Sequence, residues 1–284
     1  MVWESVLFMK FGAMGENILK ALGDDRVAVE EIGGLLRLAR RDVDYEGIWK
    51  VCSKLEYKMN SHAQNFLGLM CWYGLGVEVD VRKAFELFGE SAEQGNEYGQ
   101  VNLGKMLQEG VGVEKNLFEA FAWYEVAAQQ GNAEGEHNLG WMYHMGWGCE
   151  KKDEGKAFGF FKSAAEKKFV QAYNNVGNMY REGVGVEKNL SEAVRWYNIA
   201  VEAGDAGAMN NLGVMFYFGN FVGVDYEKAL KYFSSSAEKG NKFGKENMER
   251  MQMFMRERKS NWGKWLGSII IGSGGAILTG LLLL

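Results

Sequence analysis

From about Ala63 to Gly240 the apolar residues return in one fixed order. A Leu-Gly or Val-Gly pair falls at Leu67-Gly68, Leu103-Gly104, Leu139-Gly140, Val176-Gly177 and Leu212-Gly213, in steps of 36, 36, 37 and 36 residues. A second marker, Gly95, Gly131, Lys168, Gly204 and Gly240, keeps the same steps. The one longer step is taken up by an extra residue in the loop Cys149 to Gly155. Each period predicts two helices. Helix A runs from about four residues before the Leu-Gly pair to just before a G-x-G turn. Helix B opens on an alanine (Ala84, Ala120, Ala157, Ala193, Ala229) and continues with a bulky pair: Leu87/Phe88, Trp123/Tyr124, Phe160/Phe161, Trp196/Tyr197 and Tyr232/Phe233. It ends on small residues such as Ala127/Ala128 and Ala164/Ala165. A large ring from one helix is expected to pack over a small residue of its neighbour. Repetition at this period implies a stacked array rather than one core.

The flanks carry patterns of their own. Trp3, Leu7, Phe11, Met14, Ile18 and Leu22 recur at three or four residues and predict one stripe of an amphipathic helix. Glu4 and Lys10 interrupt it, and it has no basic leader or small-residue cleavage site, so it does not read as a signal peptide. Asp24 or Asp25 caps a second helix reaching about Arg41. Asp44 starts a third, and its Asp-Tyr-Glu opening matches Asp225-Tyr226-Glu227. Residues 44–60 therefore read as a degenerate half-repeat with 1–43 as a cap. After Gly240 one Met-rich helix (Met248, Met251, Met253, Met255) is expected to cover the last repeat. Trp265 to Leu284 is then 20 residues without a charge. A helix of that length spans ~30 Å, the thickness of the hydrocarbon layer. Arg256, Arg258, Lys259 and Lys264 precede it, and Trp262 and Trp265 sit where an interfacial belt would lie. The tail is expected to be a C-terminal membrane anchor. The four-residue ladder Ser268, Gly272, Ala276 and Gly280 would allow two such helices to approach, giving a possible homodimer. The charge bias places the array on the cytoplasmic side, at the endoplasmic reticulum or mitochondrial outer membrane if the cell is eukaryotic.

Composition narrows the function classes. There is no proline, as befits a chain that is helix nearly throughout. Cys52, Cys71 and Cys149 share no spacing and read as reduced thiols rather than a disulfide framework. The net charge is −5, and residues 242–264 hold seven Lys/Arg against three Glu, a balance of +4 that leaves −9 for the rest. An acidic array is a poor nucleic-acid binder, and no nucleic acid is expected. The G-V-G-V turns (Gly110, Gly112; Gly183, Gly185) resemble a phosphate loop, but no strand precedes them and no G-K-[ST] follows. They read as helix-ending turns. Phe221 stands where the second of these glycines falls in the last repeat, so that turn is expected to differ. No nucleophile elbow, His-Glu-x-x-His or buried carboxylate pair is present, and the chain reads as no enzyme, with no cofactor. His137 and His144 share a helix face with Cys149 near in sequence, but this spacing does not define a zinc site, and no metal is expected.

The L-G-x-M-Y, G-x-G-V, Ala, aromatic-pair and small-pair succession resembles the Sel1-like repeat family, relatives of the tetratricopeptide repeats. The resemblance covers about two-thirds of the chain. It implies an all-α, right-handed α-solenoid of helix-turn-helix repeats, with a concave face that holds partner proteins. To this the tail adds one transmembrane helix. The expected organisation is an N-terminal cap and half-repeat over 1–62 and five repeats over 63–98, 99–134, 135–171, 172–207 and 208–241. A basic juxtamembrane helix over 242–264 and the anchor over 265–284 complete it. Some secreted relatives carry a Cys pair in every repeat; this chain does not.

Positions identical in every repeat build the array, and variable positions on one face are free to specialise. On helix A, the residues at −2, +2 and +5 from the Leu vary: Asn65/Leu69/Trp72, Val101/Lys105/Gln108, His137/Trp141/His144, Asn174/Asn178/Arg181 and Asn210/Val214/Tyr217. By the resemblance these line the groove. Trp72, Lys105, His137, Trp141, His144, Asn178, Arg181 and Tyr217 are the expected contacts to a peptide or partner helix, since Trp, Tyr and Arg dominate binding hot spots. Asn102, Asn138, Asn175 and Asn211 nearly recur, and are expected to bond a neighbouring loop. The function that follows is a scaffold or adaptor that recruits proteins to a membrane. A luminal adaptor of protein quality control, a secreted bacterial interaction factor and an enzyme on the His137/His144 face are the alternatives.

Overall fold

In the computed structural model, residues 45–56 and 60–259 are described, and they form twelve α-helices with no strand. The expected cap over residues 1–43 and the tail from Trp265, with its Ser268, Gly272, Ala276 and Gly280 ladder, lie outside the described residues. Contacts divide the chain between Lys152 and Asp153 into two compact units.

The first unit holds α1 (Tyr45–Glu56), α2 (Ser61–Tyr73), α3 (Val81–Glu93), α4 (Glu97–Glu109), α5 (Leu117–Gln129) and α6 (Ala133–Met145). The second holds α7 (Glu154–Glu166), α8 (Val170–Glu182), α9 (Leu190–Glu202), α10 (Ala206–Phe218), α11 (Tyr226–Glu238) and α12 (Lys242–Lys259). Within each unit every helix packs on the next in sequence. The even-numbered helices are helix A and the odd-numbered ones helix B.

Helix A begins six residues before its Leu-Gly pair rather than four. The reason is a cap that apolar spacing does not reveal. Asn60, Asn96, Asn132 and Asp205 each turn a side-chain oxygen onto the first free backbone N–H groups of their helix, the exchange that sets a helix start. The glycines before Asn96, Asn132, Asp205 and Asn241 (Gly95, Gly131, Gly204 and Gly240) have positive φ, at 82° to 86°. One junction departs from this. Lys168 adopts φ 65° without being glycine, and Phe169 at the cap of α8 makes no side-chain cap hydrogen bond.

The ring-over-small expectation holds, with a definite partner. The second residue of each bulky pair is buried, and in four of the repeats it fills the Leu-Gly notch of helix A. A Cβ at Gly68, Gly104, Gly177 or Gly213 would come within 2.7 Å of the ring of Phe88, Tyr124, Tyr197 or Phe233. The small residues ending helix B serve a different contact. Ser91, Ala127 and Ser236 meet Gly99, Gly135 and Gly244 of the next helix A. Ser91 and Ser236 also donate hydrogen bonds of 2.6 Å to the carbonyls of Ser61 and Ala206.

The G-x-G turn does two jobs. Its first glycine ends helix A in the left-handed region (Gly110, φ 74°). The second approaches the preceding repeat: a Cβ at Gly112 would lie 2.6 Å from the Val81 carbonyl oxygen. Contrary to the expectation for the last repeat, Phe221 takes the same left-handed conformation at φ 67°. The Asn220 N–H bonds the Met215 carbonyl as Val111 bonds Met106, both at 3.1 Å. The turn is kept, and the side chain is turned outward.

After the fifth repeat, α12 takes the helix A position again. It packs on α11 and α10, Gly244 faces Ser236, and Asn247 Nδ2 donates to Asn210 Oδ1 at 2.8 Å. Glu249 occupies the place of the notch glycine, so no helix B ring could seat there. Met255 occupies the place of the C-cap glycine, and the helix runs on to Lys259.

Candidate binding face

Two of the nearly invariant asparagines, Asn102 and Asn211, bond across repeats, but to helix A rather than to a loop. In the first unit Asn102 Nδ2 donates to Asn65 Oδ1 at 2.8 Å. In the second, Asn211 Nδ2 donates to Asn174 Oδ1 at 2.9 Å and to Asn178 Oδ1 at 3.0 Å. The ladder bonds, Asn102 to Asn65 and Asn211 to Asn174, join the −1 position of one helix A to the −2 position of the helix A before it. The −2 row, read from sequence as groove, is therefore part of the stack. Asn65, Val101 and Asn210 are buried. Where Val101 replaces the acceptor, Asn138 Nδ2 is left buried without a hydrogen-bond partner.

His137 belongs to this inner row. Burial pushes its imidazole down to about 4, against smaller opposing effects of an Asn138 hydrogen bond and the Glu134 charge. It is held neutral. Asn178 accepts a 2.7 Å hydrogen bond from the Tyr197 hydroxyl, so its amide orients the ring that fills the Gly177 notch. Burial raises that hydroxyl's pKa well above the ordinary tyrosine range. Arg181 donates to Asn211 Oδ1 at 3.4 Å and pairs with Glu182 at 2.7 Å. Tyr217 packs in an aromatic cluster with Phe218, Tyr226 and Phe254, at centroid distances of 4.9 to 6.0 Å. Burial raises its pKa too. In the second unit the three expected contacts are thus tied into packing and hydrogen bonds.

The first unit presents a different surface. Lys105 Nζ lies 2.6 Å from Glu134 Oε1, a pair that joins α4 to α6 and cancels its own charge. Trp72 is half-buried, stacked at 5.6 Å on Tyr73 and edge-on to Phe88. Trp141 stands 37% exposed between His137 and His144, with centroids 6.5 and 5.4 Å away. Two residues that the sequence reading missed extend this surface: Tyr73, 47% exposed, and Met145, 46% exposed. Both stand at +6, one turn beyond +2. The exposed row of helix A in this unit is +6 with +5 beside it, joined by Trp141 at +2, an i,i+4 neighbour of Met145; Leu69 at +2 is buried, and −2 faces the next repeat. The signal available in the sequence was Val101, an apolar residue in a supposedly polar groove row.

Among the described residues no group of three or more His, Cys, Asp or Glu is placed to hold a metal ion, and no helix is long and apolar enough to cross a membrane. Cys52 and Cys71 are buried and Cys149 is partly buried, and none of the three is in a disulfide.

Helix pairs stacked by a glycine notch, a G-x-G turn and an asparagine ladder define a class of repeat solenoid. Residues 61–96, 98–132, 133–169, 170–205 and 206–241 each match the Sel1 repeat, and the chain belongs to the Sel1 repeat family. Its fold is similar to that of a Sel1 repeat protein from Oxalobacter formigenes, with 28% identity, a TM-score of 0.72 and coverage of 85% of this chain and 96% of that one. It is also similar to c5321, a protective antigen present in uropathogenic Escherichia coli strains that displays an SLR fold. Identity there is also 28% and the TM-score 0.69, over 87% of this chain and 52% of that one, so the chain spans about half of the E. coli protein. No curated protein matches the chain. The fold is an all-α solenoid of Sel1 repeats, and proteins built of such repeats are generally non-enzymatic scaffolds.

Proposed function

We propose that the protein is a non-enzymatic interaction scaffold whose first unit binds a partner protein through the +2/+5/+6 face of its A helices. The observation that carries this reading is the surface of α2 and α6. Trp72, Tyr73, Trp141 and Met145 keep large apolar groups half-buried or exposed, beside a charge-neutralised Lys105–Glu134 pair. Aromatic residues of this kind, partly desolvated and flanked by polar groups, supply most of the binding energy of a protein interface. A peptide or helix with apolar anchors at helical spacing fits such a face. Arg181, Asn178 and Tyr217 are committed to their own unit and contribute stability first. The uncharged tail from Trp265 and the basic residues before it support attachment of the scaffold to a membrane with its repeats on the cytoplasmic side.

The test compares Trp72→Ala/Trp141→Ala with Phe118→Ala. Phe118, 74% exposed at the start of helix B α5, lies off the proposed face. All variants should keep wild-type helicity. Partners captured by the full-length wild type should be lost from the double tryptophan variant and retained by Phe118→Ala. Equal retention by both would refute the face.

A further inference from the structure

The A helices of the first unit end in register. Tyr73, Glu109 and Met145 are the last residues of α2, α4 and α6, and each is followed by a left-handed glycine that stops the helix: Gly74, Gly110 and Gly146. α2 packs on α4 and α4 on α6, and the Asn102–Asn65 and Lys105–Glu134 bonds hold the three in step. The row of last residues therefore reads apolar, acidic, apolar. Tyr73 and Met145 at its ends are about half exposed, and the exposed Glu109 carboxylate lies between them.

The middle of this row is electronegative. Lys105, one turn before Glu109 on α4, is already taken by Glu134 at 2.6 Å. Glu109 itself forms no ion pair among the described residues. At the same position of the fourth repeat the carboxylate is neutralised, because Glu182 pairs with Arg181 at 2.7 Å. The last turns of α2 and α4 carry no basic residue, and a helix C-terminus bears partial negative charge. Three such ends side by side add to the Glu109 carboxylate. The field is felt within the unit: burial first, then the Glu109 and Glu134 charges, raise the Tyr124 hydroxyl above the ordinary tyrosine range. Over residues 60–152 six Lys/Arg stand against thirteen Asp/Glu, a balance of −7. A cationic partner would be steered to the unit by that balance and received at Glu109.

We propose that the partner presents a cationic amphipathic helix along this row, with one apolar residue over Tyr73, another over Met145, and a Lys or Arg between them paired with Glu109. The spacing follows from the stack. Neighbouring helices pack about 8–10 Å apart, so the end rungs lie roughly 16–20 Å apart. At ~1.5 Å per residue that is about 11–13 residues of helix. Residues i, i+4, i+7 and i+11 share one stripe; the apolar anchors take i and i+11, and the basic residue takes i+4 or i+7. A helix without a base there would cover Glu109 and leave its charge unpaired, which selects against it. This partner chemistry rests on the binding face described above, but on a residue, Glu109, that the face itself does not need.

The probe is a displayed library of helical peptides of about 16 residues, randomised at i, i+4, i+7 and i+11 and selected on the full-length protein. Selected clones should carry aliphatic or aromatic residues at i and i+11 and Lys or Arg at i+4 or i+7. Their binding should fall about tenfold or more with Trp72→Ala/Trp141→Ala and likewise with Glu109→Lys, and a selection on Glu109→Lys should return Asp or Glu at the middle positions. Glu125→Lys makes the same change in charge at an exposed position of helix B α5, off the face, and should leave binding within about twofold. Each variant should keep wild-type helicity. Clones that need the tryptophans but show no basic preference, or that bind Glu109→Lys unchanged, would overturn the inference and leave the face standing. Equal losses with Glu109→Lys and Glu125→Lys would overturn it too, as an effect of net charge alone. A library with no clone that depends on the tryptophans would remove the face, and the inference with it.

Discussion

Two glycine-to-alanine substitutions in the second unit should have opposite signs, and the notch geometry sets the difference. Gly159 lies inside α7, where an added Cβ meets nothing within 4 Å. Alanine there restricts the unfolded chain and suits the helix, a gain of about 0.5–1 kcal/mol. Gly177 lies inside α8, and its Cβ would fall 2.6 Å from Tyr197 Cε1. The ring cannot slide aside easily, because Tyr197 is fully buried and its hydroxyl is held at 2.7 Å by Asn178. Overpacking of this kind costs about 1–3 kcal/mol. The helix preference for alanine offsets up to about 1 kcal/mol of that, leaving a net loss of about 1–2 kcal/mol. At about 2–4 °C for each kcal/mol, Gly177→Ala should lower Tm by roughly 2–8 °C and Gly159→Ala should raise it. Thermal unfolding followed by circular dichroism reads both. A Gly177→Ala protein as stable as Gly159→Ala would refute the notch as a packing constraint.

Other expectations follow from single observations. Lys168→Gly with Phe169→Asn restores the pattern of the other junctions, relieving a left-handed lysine and supplying a helix cap, and should stabilise by about 1–3 kcal/mol in denaturant titration. Asn211→Ala strands the Asn174 oxygen and removes one of the two donors to the Asn178 oxygen, and should destabilise by about 1–3 kcal/mol, whereas Asn211→Asp, which cannot donate, should recover little. The His137 pKa is lowered in the folded state, so the unfolded chain binds its proton first. Its contribution is complete above the ordinary value of 6.5 and is lost as pH falls from there to about 4, a swing of at most about 3 kcal/mol. Denaturant midpoints of His137→Gln should lack that part of the wild-type slope.

The register of the stack was legible because every repeat must offer its neighbour the same notch and turn, and that leaves identical residues at fixed steps. Gly68, Gly104, Gly177 and Gly213 could be placed from spacing alone. Their ring partners could be named only as a pair, since periodicity cannot say which of Trp196 and Tyr197, both buried, meets the glycine. The face was half legible. Trp72 and Trp141 were found because they vary between repeats, and Asn178 and Arg181 were chosen for the same reason, although each is bonded inside its unit. Variation marks freedom from the common pattern, and a residue can use that freedom to tie two helices together as well as to meet a partner. The asparagine ladder was hidden because its bonds join residues 37 apart. No local pattern announces a contact at that distance. Helix starts were missed for a simpler reason: the caps at Asn60, Asn96 and Asn132 are polar, and only apolar spacing had been followed.

The claim that matters most is that the helix A face of the first unit meets a partner protein. A photo-crosslinking residue placed at 141 in the full-length protein, and in a parallel protein at 118, tests it directly. The account predicts a discrete adduct from position 141 that disappears when Trp72 is also replaced by alanine, and no such adduct from 118. Adducts from 118 alone, or the same products from both positions, would contradict it.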